Sequence, residues 1–125
     1  MHYVGLDVAS KGSFVYVTDR RGKKVEGREI LTNKESYREY FRKWKDRAVE
    51  VAVEAGSQTR WIHDLLTGMG TGVYVVNPNK VKLIAETKRK TDKVDAKVLA
   101  ELLRIGGLPE RVHMARGESR ELRDL

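Results

Sequence analysis

Three runs rich in β-branched and aromatic residues, 3–9, 13–19 and 25–32, crowd into the first 32 residues of the chain. The links between them are short, and "DRRGKK" at 19–24 carries turn chemistry. Links of this length favour antiparallel neighbours, so the N-terminal third reads as a β-meander. After Asn33, a residue suited to capping, Tyr37, Tyr40, Phe41 and Trp44 recur at helical spacing. This aromatic stripe serves a core, or alternatively a surface on which bases stack. A fourth strand, Val49–Glu54, opens an alternation of helices and strands. Ser57 is placed to cap a helix carrying Trp61, Leu65 and Met69, which Gly68 and Gly70 end. Residues 72–77 form a short buried strand, and Pro78 opens a helix to about Glu86. Residues 92–105 complete the pattern as an amphipathic helix on Val94, Val98, Leu99, Leu102 and Ile105. The order βββαβαβα, with extra helix at the end, implies an α/β fold with a mixed sheet and helices on its faces.

A length of 125 residues suits one domain with a real core. No apolar run reaches the length of a membrane span, and the N-terminus lacks a signal-peptide core. The absence of cysteine excludes disulfides and thiolate metal sites, and these features together fit a cytoplasmic protein. The formal net charge of +7 favours an anionic partner, most commonly nucleic acid.

Against that background the acids stand out. Asp7 interrupts an otherwise apolar strand, where a buried carboxylate costs several kcal/mol unless something pairs with it. It shares a strand face with Gly5, and Glu54 shares one with Ala52, so each acid has a small neighbour that leaves room for a ligand. If the first and fourth strands are neighbours, Asp7 and Glu54 converge. Asp92 and Asp95, three residues apart, fall on one helix face in line with Leu99 and Leu102, which directs them toward the sheet. Four converging carboxylates repel unless cations are present. Two Mg²⁺ ions, or Mn²⁺ in their place, would neutralise them and hold phosphate oxygens and water. Taken singly, an acid at 92 or 95 also suits a helix N-terminus, and Glu54 suits a strand end in solvent. Lys80, Lys82, Lys88, Arg89, Lys90 and Lys93 form a basic stretch beside these acids, fit to contact a phosphate backbone or simply to be solvated. The histidines lack ligand spacing, and no serine sits in a nucleophile elbow.

The segments "GLDVAS", "VAVEAG", "VVNP" with "KVK", and "KTDKVDA" followed by "GGLP" resemble, in order, the N-terminal domain of DEDD transposases of insertion sequence family 110. The resemblance implies a ribonuclease H-like, RuvC-like fold and assigns the acidic tetrad to Asp7, Glu54, Asp92 and Asp95. It further implies Mg²⁺-dependent cleavage and exchange of DNA strands for excision and insertion of a mobile element. A structured guide RNA and a homo-oligomer are implied as partners. The domain is expected over residues 1–110, with 111–125 beginning a linker or helix toward a C-terminal domain whose serine attacks DNA. A free-standing junction resolvase or nuclease, and a non-catalytic RNA-binding scaffold, are the alternatives. An actin-like sugar kinase is a more distant one, since its first phosphate loop also pairs a strand with an Asp.

Overall fold

The computed structural model describes residues 1–85 and 95–114. Its strands are β1 (His2–Val8), β2 (Gly12–Asp19), β3 (Lys24–Leu31), β4 (Val49–Glu54) and β5 (Gly72–Val76). The helices are α1 (Lys34–Arg42), α2 (Thr59–Gly68), α3 (Pro78–Ala85) and α4 (Ala96–Ile105). They build one five-stranded sheet in the order β3-β2-β1-β4-β5. The expected meander is present: β1 pairs with β2, and β2 with β3, both antiparallel. β4 then runs parallel to β1, with Gly5 opposite Ala52 and Leu6 opposite Val53, and β5 runs parallel to β4.

Period-two alternation assigns the two faces. Val4, Leu6, Val15, Val17, Val51 and Val53 bury one face in the larger core, beneath α1 and α2. The aromatic stripe belongs to this core, with Tyr37, Tyr40, Phe41 and Trp44 at most 5% exposed. Asn33 caps α1 as expected, its Oδ1 accepting from the Ser36 amide at 2.7 Å. On α2 the deepest residues are Ile62 and Leu66, while Trp61, Leu65 and Met69 pack at the core's margin. The expected Ser57 cap is not formed. Gln58 occupies the cap position without a side-chain bond, and Thr59 Oγ1 instead accepts from the Gly56 amide at 2.7 Å.

The second face carries small residues and is covered by α4, through Leu99 and Leu103 against Ala52 and Val76, and through Ala96 and Ala100 against Tyr16. Two expectations for this helix are corrected. It begins at Ala96 rather than 92, with Asp95 as its cap; residues 92–94 lie outside the described residues. Ile105 is 62% exposed, because the helix rotates its Ala96–Leu99–Ala100–Leu103 row onto the sheet.

Tyr37 is fully buried, and its hydroxyl lies 2.5 Å from Ser13 Oγ, which in turn lies 2.8 Å from Thr32 Oγ1. Burial pushes the Tyr37 phenol up to about 12, only partly offset by the Ser13 hydrogen bond. The folded state therefore binds this proton more tightly than the unfolded chain, whose tyrosines titrate near pH 10. Stability should hold level below about pH 10 and fall as pH rises from there toward 12, by roughly 2–3 kcal/mol from this group. Burial raises Tyr40 as well, which steepens the same limb. Urea unfolding across this range should show the fall, and Tyr37→Phe should flatten it; an unchanged alkaline limb in that variant would contradict the assignment.

Candidate active site

The C-terminal ends of β1 and β4 meet side by side, as is common for sites on parallel strands. Their register runs to Leu6 opposite Val53, so Asp7 and Glu54 are the next residues along adjacent strands. Each lies two positions beyond a facing pair, Gly5 and Ala52, and so both acids project from the face that α4 covers. Both are half-buried. The strand adjacency on which their convergence depended is thus met.

α4 brings the third acid to the same region. A Cβ built on Gly5 would lie 1.9 Å from the Ala96 carbonyl oxygen and 2.8 Å from the Ala100 nitrogen. The first turn of the helix therefore rests on the glycine, and Asp95 immediately precedes that turn. The space above Gly5, expected to admit a ligand, is filled by helix backbone. Asp95 is exposed, and its Oδ1 accepts from the Val98 amide at 2.9 Å. It is a cap at the mouth of the site, not a side chain on the inward helical row. Asp92 lies outside the described residues. Among the described residues, no three Asp, Glu or His side chains form a group able to enclose a metal ion. What the fold brings together is a pair on neighbouring strands, with a third acid at the adjoining helix start.

A cavity of about 290 Å³ opens beyond the strand ends, lined by Glu54, Ser10, Ser57, Gln58, Thr59 and Lys82 among others. Its floor is Leu6, Val8 and Val53, from the opposite strand parity to Asp7. Glu54 is thus shared between the cavity and the acidic face. Thr59 was not singled out by the sequence, yet it fixes this corner. It is 5% exposed, and its hydroxyl donates to the Glu54 carbonyl at 3.2 Å while accepting from Gly56. The only signal in the sequence is a hydroxyl residue shortly after a Gly at a strand-to-helix turn, and Ser57 offers the same signal.

Lys80 and Lys82 stand on α3, which leaves the top of β5 through Asn77; the Asn77 Oδ1 accepts from the Asn79 amide at 2.9 Å. Lys82 is half-buried at the cavity wall, and Lys80 is exposed. Lys88, Arg89, Lys90 and Lys93 lie outside the described residues. At the far edge, Arg111 reaches back to β5: its guanidinium donates to the Val73 carbonyl at 2.9 Å and lies 4.1 Å from the Tyr74 ring centroid. No helix among the described residues is long and apolar enough to cross a membrane.

The fold has solved counterparts. The Thermus thermophilus RuvC structure matches with a TM-score of 0.59 at 16% identity, covering 86% of this chain and 98% of that chain. The T. thermophilus RuvC in complex with Holliday junction substrate matches at 0.55 and 14% identity, with the same coverage of 86% and 98%. Likeness at this identity establishes the RuvC-like fold, and with it the ribonuclease H-like mixed sheet expected from the sequence. No curated protein sequence matches the chain. A family model described as a transposase, of the DEDD class and IS110 type, matches residues 4–125.

Proposed function

We propose that this chain, which belongs to the DEDD transposase family of the IS110 type, cleaves and exchanges DNA strands with a divalent-metal site built on Asp7 and Glu54. The observation that carries the reading is the placement of these two acids on adjacent parallel strands, facing the same way at the strand ends. The donor set fits a hard cation, because it consists of carboxylate oxygens with no sulfur and no imidazole. Asp7 and Glu54 would hold the ions. Asp95, with Oδ1 engaged at the Val98 amide, would add its second oxygen, and Asp92 would complete the tetrad. Mg²⁺, or Mn²⁺ in its place, would supply charge neutralisation for the attacking and leaving oxygens of a phosphodiester.

The protein's own groups do the positioning. α4, seated on Gly5, keeps the Asp95 cap beside the strand ends, and Thr59 pins the Glu54 backbone. Lys80 and Lys82, with the basic residues Lys88, Arg89, Lys90 and Lys93, would bind the DNA backbone and fix its position without reading sequence. A structured guide RNA and a homo-oligomeric assembly belong to the same reading, supported by family membership. A T. thermophilus RuvC has been solved with a Holliday junction, which makes branched DNA the natural probe for an alternative resolvase activity.

Calorimetric titration of Mn²⁺ into the wild type and into Asp7→Asn tests the site. The wild type should bind, and the variant should lose that binding. Wild-type Mn²⁺ affinity in Asp7→Asn would remove Asp7 from the metal site and end this reading.

A further inference from the structure

We propose that the tip of the β2–β3 hairpin, together with Arg104, forms a second DNA-binding surface that grips the phosphate backbone of a duplex at the end of the sheet opposite the carboxylates. The inference rests on the strand-exchange reading above, because joining one duplex to another requires that a second duplex be held. Arg20, Arg21, Lys23 and Lys24 are all exposed at this tip. Arg104, in the last turn of α4, joins them from far along the chain: its guanidinium carbon and Nη2 lie 2.9 Å from where a Gly22 Cβ would stand. Gly22 has φ of 89°, so the same glycine permits the turn and leaves space for the arginine.

Within the turn only Asp19 offsets these cations: the Lys23 and Arg21 amides and the nearby Lys23 and Arg21 charges hold its carboxyl below the usual range, and it is a single charge against four. The ion pairs among the described residues are Lys43–Glu26 and His63–Asp64, and neither involves the tip. Arg104 Nε is buried with no hydrogen-bond partner among the described residues. Asp19 is the one carboxylate within the turn, and it has a structural task. Its Oδ1 accepts from the Arg21 and Lys23 amides, each at 2.9 Å, and Thr18 Oγ1 donates to the Lys23 carbonyl at 3.1 Å. The tip is therefore a braced turn that presents Arg20, Arg21, Lys23 and Lys24 outward.

The geometry separates this surface from the candidate active site. Asp19 pairs with His2, at the opposite end of β1 from Asp7, which sets the two about 17 Å apart along the strand. α4 spans the same interval, with Asp95 at one end and Arg104 at the other. The chemistry favours a duplex over a single strand. Lys24 lies 5.7 Å from the Tyr16 ring centroid, but Tyr16 is only 8% exposed and offers no stacking platform. A cluster of cations without exposed aromatics matches the charge of a phosphate backbone.

The test is fluorescence anisotropy with a labelled random-sequence DNA duplex in EDTA, so that no metal-bridged contact contributes, over a range of salt. The double variant Arg20→Ser/Arg21→Ser should weaken binding roughly tenfold and make the slope of log K against log salt shallower by about 2. Arg20→Lys/Arg21→Lys, which keeps the charge, should bind like the wild type, and Lys23→Ser should give about half the slope change without touching the arginines. Wild-type affinity and slope in the Ser double variant would overturn the proposal. So would a loss confined to duplex RNA with DNA binding intact. Failure of the metal site is separable: if Asp7→Asn retains Mn²⁺ binding while the tip variants lose DNA, the carboxylate reading falls and this surface stands.

Discussion

Gly5→Ala is expected to cost about 3 kcal/mol or more of folding stability, a large share of what a small domain possesses. The added Cβ would lie 1.9 Å from the Ala96 carbonyl oxygen and 2.8 Å from both the Ala96 carbonyl carbon and the Ala100 nitrogen. All three atoms are helix backbone, so no side chain can swing away to relieve the clash. α4 would have to lift by about 1 Å or more, and Leu99 and Leu103 would lose their close contact with Ala52 and Val76. An isolated helix of this length is marginal in water, so lifting it invites fraying. At roughly 4 °C per kcal/mol, the melting midpoint should fall by about 12 °C or more. Gly12→Ala is the matched control, because its nearest neighbour would be 3.7 Å away, an ordinary contact. Denaturant unfolding of both variants checks this. A Gly5→Ala variant within about 0.5 kcal/mol of wild type would mean that α4 does not rest on the glycine.

Asp7→Asn is expected to lower metal-dependent DNA cleavage by about 10³-fold while leaving the melting midpoint nearly unchanged. The amide keeps the shape of the carboxylate but loses its charge, and charge is what holds a divalent ion. Losing a metal's stabilisation of the transferring phosphoryl group forfeits several kcal/mol, and about 4 kcal/mol corresponds to a thousandfold. Glu54→Gln should behave similarly, from the neighbouring strand. Nicking of labelled duplex and four-way junction DNA in Mn²⁺, measured beside thermal unfolding of each variant, provides both readouts. Wild-type cleavage by Asp7→Asn would sink the assignment. Lost cleavage accompanied by an equally lost fold would instead make Asp7 a structural residue.

These two residues also mark how far the sequence could be read. The parity that puts Gly5 and Asp7 on one strand face is local, fixed by the two-residue period of a strand, and it was legible. So was the small size of the residues beside the acids. What fills the space was not legible: small residues in a strand admit either a ligand or a close helix, and the structure shows a helix. Asp95 shows the same limit at a helix end. Its spacing from Asp92 suggested two acids on one inward row, but Asp95 bonds the Val98 amide, and the inward row begins one residue later at Ala96. Asp, Ser and Thr suit both a first turn and a cap, so spacing alone does not separate the two. The exchange of Ser57 for Thr59 at the start of α2 has the same origin.

The sequence by itself determined the elements and their order, the antiparallel meander, the Asn33 cap and the facing of Asp7. Each follows from side-chain chemistry and spacing over a few residues, where strand and helix periods act directly. Only the tertiary structure decided that β4 lies against β1, that α4 sits on Gly5, and that Arg104 joins the hairpin cations around Gly22. Those outcomes depend on contacts between residues tens of positions apart, selected by which apolar faces can be buried together, and no local period encodes that choice.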